Sequence, residues 1–324
     1  MPASVNEPVR RRRVLAIAAG LAVLGLQAAA QQLPDREFLP SVDSPAYAAG
    51  RGPVICLDEA HANFHTLDDR FWAFGELLRR DGYVLRPNTA KFDLASLAQC
   101  AVLVISNARP TGVNSNPYPY PAPSAFTEDE VAAVHRWVRD GGRLLLIADH
   151  MPAAGAAASL AAAFGVSFTN GFAVEAFGEE SERDAAFDKP TIFRTADGSL
   201  RSHAIVQGRN AKEAITAIRT FTGQAFQAPL DAEPLLVLPD NFIALMPEIA
   251  WQFGPATRRI PVGGWLQGAV LSVERGRAAF FGEAAMFTAQ VTGPERGPMG
   301  MNAPGAEQNA QFTLNVLHWL SGVL

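Results

Sequence analysis

The chain reads as an α/β domain: a doubly wound, mostly parallel sheet of the flavodoxin-like kind, closed by a C-terminal β-hairpin and a final helix. Three observations predict this. Short apolar runs of strand length end abruptly in polar residues, amphipathic helical patterns separate them, and the crossovers between them are short.

The elements follow in order. Residues 1–30 carry Arg10, Arg11, Arg12 and Arg13, then an apolar run from Val14 to Leu26, then Ala28, Ala29 and Ala30. That order of basic, apolar and small residues is an export signal, cleaved to leave a periplasmic or secreted protein. The apolar run is shorter than the ~20 residues of a spanning helix, so no stable membrane insertion is expected. Arg11-Arg12-Arg13-Val14-Leu15 also fits a twin-arginine signal, which leaves the export route open. Residues 31–52 read as an irregular lead-in and 53–324 as one domain, with insertions near 110–125 and 175–200.

Within that domain, Pro53 to Leu57 is a continuous apolar run ending at Asp58-Glu59, as expected of a strand buried on both faces. Thr66-Leu67-Asp68-Asp69 resembles a helix N-cap, followed by Phe71, Phe74, Leu77 and Leu78 on one helical face and a stop at Asp81-Gly82. Tyr83-Val84-Leu85 gives a second strand, and 101–106 a third that ends at Ser106-Asn107. Thr127 and Glu130 form a capping box ahead of Val131, Val134, Trp137 and Val138, and the helix stops at Asp140-Gly141-Gly142. Leu144 to Ala148 is the fourth strand, ending in Asp149-His150, and the small residues from Gly155 to Phe164 make a helix that packs closely on the sheet. Residues 170–227 show no clear period. Ala269–Val273 and Arg277–Phe281 flank Glu274-Arg275-Gly276 as a hairpin ending at Gly282-Glu283, and Phe312, Val316, Leu317 and Leu320 mark the closing helix.

Formal charge is −5, and no basic cluster follows the leader, so a nucleic-acid partner has no electrostatic footprint. No phosphate-cradling glycine loop follows the first strand, so no nucleotide cofactor is expected. Two cysteines in an exported chain invite a disulfide. Placed on neighbouring parallel strands, however, Cys56 and Cys100 would lie roughly 10 Å apart at ~3.3 Å per residue, so they are expected to be unbridged.

Several motifs carry a family resemblance. They are Phe126-Thr127-x-x-Glu130, Trp137-Val138-x-x-Gly141-Gly142, Gly276-Arg277-x-x-x-Phe281-Gly282-Glu283, and Asn309-x-Gln311-Phe312-x-x-Asn315-x-x-x-Trp319-Leu320. Together with the Asp/Glu and His after the first strand, they make residues 53–324 similar to domains of the class I glutamine-amidotransferase-like superfamily. The resemblance includes domains found in gliding-motility and ABC-transporter accessory proteins. It implies a flavodoxin-like sheet and, in true amidotransferases, a nucleophilic cysteine on the turn after the strand that ends here at Asp149. That turn reads Ala148-Asp149-His150-Met151-Pro152 and holds no cysteine, so glutamine hydrolysis through a thioester is excluded and the resemblance implies fold alone.

In open parallel sheets, ligands bind beyond the carboxyl ends of the strands. Asp58, Glu59, Asn107, Asp149, His150 and Glu283 all stand at such ends, with His61 and His65 in the first loop. One reading is a divalent zinc, manganese or iron site held by His61, His65 and Asp58 or Asp149, with Glu283 or Glu59 as general base; His61 and His65 have the spacing of one helical turn. A second is metal-free acid/base chemistry, for example by His150 with Asp149 or Asp58, on a carbohydrate-like ligand. A third is purely structural capping. His203 and Gln224 are candidate ligand contacts, His135 and His318 read as packing, and the loop 114–123 with Tyr118 and Tyr120 is a candidate lid. Two functions follow: an exported hydrolase, or a non-catalytic accessory domain with a partner in the cell envelope.

Overall fold

The computed structural model describes Met1, residues 32–110 and residues 120–324. The leader and most of the 114–123 loop, Tyr118 included, lie outside the described residues. The fold is mixed α/β around a nine-stranded, mostly parallel sheet. Its strands are β1 (Val54–Asp58), β2 (Val84–Asn88), β3 (Val102–Ser106), β4 (Arg143–Ile147), β5 (Ser167–Phe168), β6 (Phe226–Gln227), β7 (Glu233–Val237), β8 (Leu266–Val273) and β9 (Gly276–Phe281). They run in the order β2-β1-β3-β4-β9-β8-β6-β5, with β7 also paired to β8. The first five are mutually parallel, and β8 and β9 form the expected hairpin with Val273 opposite Gly276. Glu274, at φ 51°, forms its two-residue turn with Arg275.

Strand alternation builds two cores. Ile55, Leu57, Val102, Val104, Leu145 and Ile147 face α1 (Trp72–Arg80) and the closing helix α4 (Asn309–Ser321). Cys56, Leu103, Ile105, Leu144 and Leu146 face α2 (Glu128–Arg139) and α3 (Ala153–Ala163). Because both faces are covered, β3 and β4 read as unbroken apolar runs rather than alternating ones. Glycine at 276 is required where β9 passes under α2: a Cβ there would lie 1.9 Å from the Val138 carbonyl oxygen.

Three expectations need correction. Cys56 and Cys100 are bridged, with Cα atoms 5.6 Å apart. Cys100 does not extend the line of β3; its N–H donates to Leu97 in the turn after the short helix Leu94–Leu97, which folds it over the face on which Cys56 lies. Helix α1 begins at Trp72 rather than near Thr66, because the Thr66 carbonyl accepts the N–H groups of Asp69 and Phe71 in a turn. The lead-in is also not wholly irregular, since Leu33–Pro34 pairs with a strand at Ala289–Thr292.

The aperiodic region supplies β6 and pieces of two small sheets. Phe172–Glu175 pairs with Phe242–Met246, which pairs with Arg258–Pro261, and Thr191–Arg194 pairs with Ala217–Thr220.

Candidate functional site

The strand-end polar residues separate into two places. Asp58 shares parity with Cys56 along β1, so its side chain lies on the α2 side of the sheet. There His61, 3% exposed, donates from Nδ1 to Asp58 Oδ1 at 2.9 Å and from Nε2 to Glu130 Oε1 at 3.0 Å. Its ring packs between Phe92 and Phe126, each centroid 4.7 Å away.

Burial opposes charge on His61, but the hydrogen bonds and charge of Asp58, then those of Glu130, outweigh it and raise the imidazole above its ordinary range. Burial likewise opposes charge on Glu130; hydrogen bonds from Thr127, His61 and Phe92 reverse this and hold it at about 2. Asp58 also accepts from Asn63 Nδ2 at 3.0 Å and from the Ala60 N–H at 3.2 Å. The result is a buried carboxylate–imidazolium–carboxylate clamp joining the β1 loop to the start of α2.

His65 lies on the other side. It stacks on Phe71 at 4.7 Å, and its Nδ1 shares a 2.9 Å hydrogen bond with Ser106 Oγ. Burial, then Arg70 and Arg109, lower it to about 3, so it is neutral. The 61–65 segment is a loop with Ala62 at φ 46°, not a helical turn, and this separates the two histidines.

The expected metal ligands do not fit a shared ion. Both His61 nitrogens are already spent on carboxylates, and among the described residues no group of three or more His, Cys, Asp or Glu is placed to hold one.

The second place is a cavity of about 490 Å³ beyond β3, β4 and β9, lined by His65, Asn107, Arg109, Asp149, His150 and Glu283. Phe64, Phe221 and Trp251 add aromatic walls. Asp149 and Glu283 come together because β4 and β9 pair in parallel, Ile147 opposite Phe281, and each strand runs on into its acid. The chain at Thr222-Gly223 crosses closely over them. A Cβ on Gly223 would lie 2.4 Å from the Gly282 carbonyl oxygen, and the residue sits at φ 77°, which only glycine adopts freely.

Glu283 is 1% exposed and accepts from the N–H groups of Ala285 at 2.7 Å and Met286 at 2.8 Å. Burial, and then the charge of Asp149, raise its carboxyl well above the usual range despite those donors. Asp149 is positioned by its own N–H, which donates to Asn107 Oδ1 at 2.9 Å. Asn107 holds φ 45°, a conformation asparagine tolerates better than most residues. His150 donates from Nδ1 to the Met151 carbonyl at 2.9 Å, so in its neutral form the lone pair is on Nε2, 3.8 Å from Asp149 Oδ1. Its ring lies flat on Phe172 at 4.4 Å and edge-on to Trp251 at 4.7 Å.

Besides Asp58 and His61, three more sequence candidates do not reach this cavity. Glu59 accepts the Leu67 N–H at 2.8 Å and ties the loop. Gln224 is fully buried, donating to the Ala148 carbonyl and accepting from Thr169, so it braces the strand ends from behind. His203 caps the short helix Ala204–Gln207 by accepting from Ile205 and packs against Trp319. Of the two histidines read as packing, His135 stacks edge-on to Phe164, while His318 is fully buried with Nε2 2.6 Å from Asp81. Arg109, Phe64 and Trp251 were missed in the sequence. Trp251 is 54% exposed at φ 67°, an unusual conformation for a bulky residue, and no local sequence signal marks it.

No protein-family model matches the chain, and no curated protein matches it. Among solved structures it is similar to the mmIFT52 N-terminal domain at 13% identity and a TM-score of 0.56, covering 82% of this chain and 97% of that one. A ThuA-like protein from Bacteroides uniformis aligns at 13% identity and a TM-score of 0.46, over 86% and 95% of the two chains. A GMP synthase-like protein from Thermoplasma acidophilum aligns at 13% and 0.41, over 84% and 96%. The likeness to the mmIFT52 domain is one of fold alone: the chain shares its α/β architecture.

Proposed function

We propose that this chain is a hydrolase that cleaves a C–O bond in a carbohydrate-like ligand by metal-free acid/base chemistry, at the carboxyl edge of a sheet we read as doubly wound. One observation carries the reading. Asp149 stands beside both a buried carboxyl whose proton is held above the usual range and an imidazole with its Nε2 lone pair available, all lining one cavity. A proton donor and a base with a free lone pair on one cavity are what such hydrolysis needs.

In the proposed step, Glu283 gives its proton to the leaving oxygen as the C–O bond breaks. A water oxygen adds to the carbon, its proton passes to His150 Nε2, and Asp149 offsets the charge that develops there. The proton on His150 returns to Glu283 through solvent, so one water is consumed and two hydroxyl products form. The walls of Phe64, Phe221 and Trp251 support a ligand with an apolar ring face and polar edges. Export of the chain is part of the proposal. The Arg10–Arg13 leader supports it, as does the Cys56–Cys100 bridge, which suits an oxidising compartment.

The test is turnover of a panel of nitrophenyl glycosides by the purified protein and by Glu283→Gln and His150→Ala. Each variant is expected to lower kcat by roughly 10²- to 10⁴-fold with the circular dichroism spectrum unchanged. Full turnover in both variants, or none in the wild type across the glycosides, refutes the reading.

A further inference from the structure

Gln290 stands outside the acid/base group, on the strand Ala289–Thr292 that pairs with the lead-in, yet it lines the same cavity and is 1% exposed. Its amide orientation follows from hydrogen-bond bookkeeping. The Thr288 hydroxyl has one proton and donates it to the Ala285 carbonyl at 2.9 Å. Its 2.8 Å contact with Gln290 must then be one in which the hydroxyl oxygen accepts, so the amide NH₂ of Gln290 faces Thr288. Oε1 is consequently turned away from Thr288, and it meets no donor among the described residues. A buried acceptor without a donor costs free energy, and a residue that lines a ligand cavity recovers it when the ligand brings the donor.

We infer that Gln290 Oε1 is a specificity-determining acceptor that takes a hydroxyl or amide N–H of the ligand. The inference rests on the cavity being the ligand site, and it deepens the proposed function by requiring a donor-bearing, hydroxylated ligand over its deoxy counterpart. Ala285 links this acceptor to the acid: its carbonyl receives the Thr288 hydroxyl, while its N–H donates to Glu283 Oε1 at 2.7 Å. Gln290 and Glu283 are thus held by one short chain of bonds, and a ligand group seated on Gln290 is placed in a fixed relation to the proton donor. A site built around a hydroxyl discriminates strongly against analogues that lack it, because the buried acceptor is then left unpaired.

The experiment follows the side-chain amide ¹⁵N signal of Gln290, assigned by its disappearance in Gln290→Met. The probes are methyl pyranosides and their monodeoxy forms, with urea and acetamide as non-sugar donors and N,N-dimethylacetamide as a donor-free control. Donor-bearing probes are expected to shift the signal and to bind about 10- to 100-fold more weakly to Gln290→Met. Gln290→Asn, which keeps the amide but withdraws it by one methylene, is expected to weaken them likewise and stands in if the methionine variant does not fold.

If urea or acetamide behave this way while no pyranoside binds, the inference holds and the carbohydrate reading falls. If pyranosides bind or turn over equally well in wild type and variants, or deoxy forms bind as tightly as their parents, the inference is overturned and the hydrolase reading stands. If no probe shifts the Gln290 signal, the inference is overturned.

Discussion

Replacing His61 with alanine tests whether this residue is a structural cation or a metal ligand. It removes the charge between Asp58, 2.9 Å from Nδ1, and Glu130, 3.0 Å from Nε2, and leaves two buried carboxylates without their shared partner. Breaking a buried ion pair by removing one member costs about 3–5 kcal/mol. In a chain of this size that lowers the thermal midpoint by on the order of 6–10 °C, at about 2 °C per kcal/mol.

The loss should depend on pH in a defined way. The pKa of folded His61 is raised, so its contribution is complete below 6.5 and is lost as pH rises through the raised value. The pKa of folded Glu130 is lowered to about 2, so its contribution is present above 4.5 and is lost as pH falls toward that value. The gap between wild type and His61→Ala, measured by calorimetry across pH 3–9, should therefore be widest between about 4.5 and 6.5 and should narrow toward pH 3. A gap under about 1 °C at pH 6, or one that does not narrow in acid, refutes the clamp. A wild-type midpoint that falls with chelator, by an amount His61→Ala abolishes, would restore the metal-ligand reading.

Two further predictions concern the bridge and the acid. Reducing Cys56–Cys100, or replacing both with alanine, opens a 44-residue loop and should lower stability by about 4 kcal/mol on the loop-entropy model. Urea denaturation with and without reductant measures this, and a thiol count of zero before reduction is required. The carboxyl of Glu283 is raised in the fold, so its stabilising contribution is present below 4.5 and is lost as pH rises through its folded value. The urea midpoint of wild type should accordingly fall relative to Glu283→Gln between pH 5 and pH 8, and parallel pH profiles would contradict the buried, protonated acid.

Much of the sheet was legible because its central strands are buried on both faces and its hairpin turn is short. The runs Val102–Ser106 and Arg143–Ile147 needed only their apolar continuity, and α2 announced itself through the Thr127/Glu130 capping box that forms as read. What failed was local mimicry. Thr66-Leu67-Asp68-Asp69 has the residues of an N-cap, but the Thr66 carbonyl closes a turn instead. Cys100 was placed by extrapolating a strand through a residue that belongs to the preceding turn. Residues 170–227 fold into strands of two to four residues whose partners lie as far off as Phe242–Met246, too short to show a period.

The site was half legible, and the division has a geometric cause. A cavity does lie at the strand ends, yet a residue at a strand end points to one face or the other according to its parity. Asp58 continues the parity of Cys56 and so joins the α2 side, where the capping-box Glu130 was already placed by the sequence to meet His61; that pairing was open to inference. The parallel pairing of β4 with β9 was not, because the two strands lie far apart in the chain, and it is this pairing that sets Asp149 against Glu283. Gln290 and Trp251 enter from a satellite strand and a loop with no periodicity. Residues that line the cavity thus come from segments whose positions only long-range pairing fixes, while residues that brace the sheet come from the segments a sequence reveals best. The histidines nearest the first strand were therefore attractive as ligands for the same local reason that makes one of them, His61, a clamp.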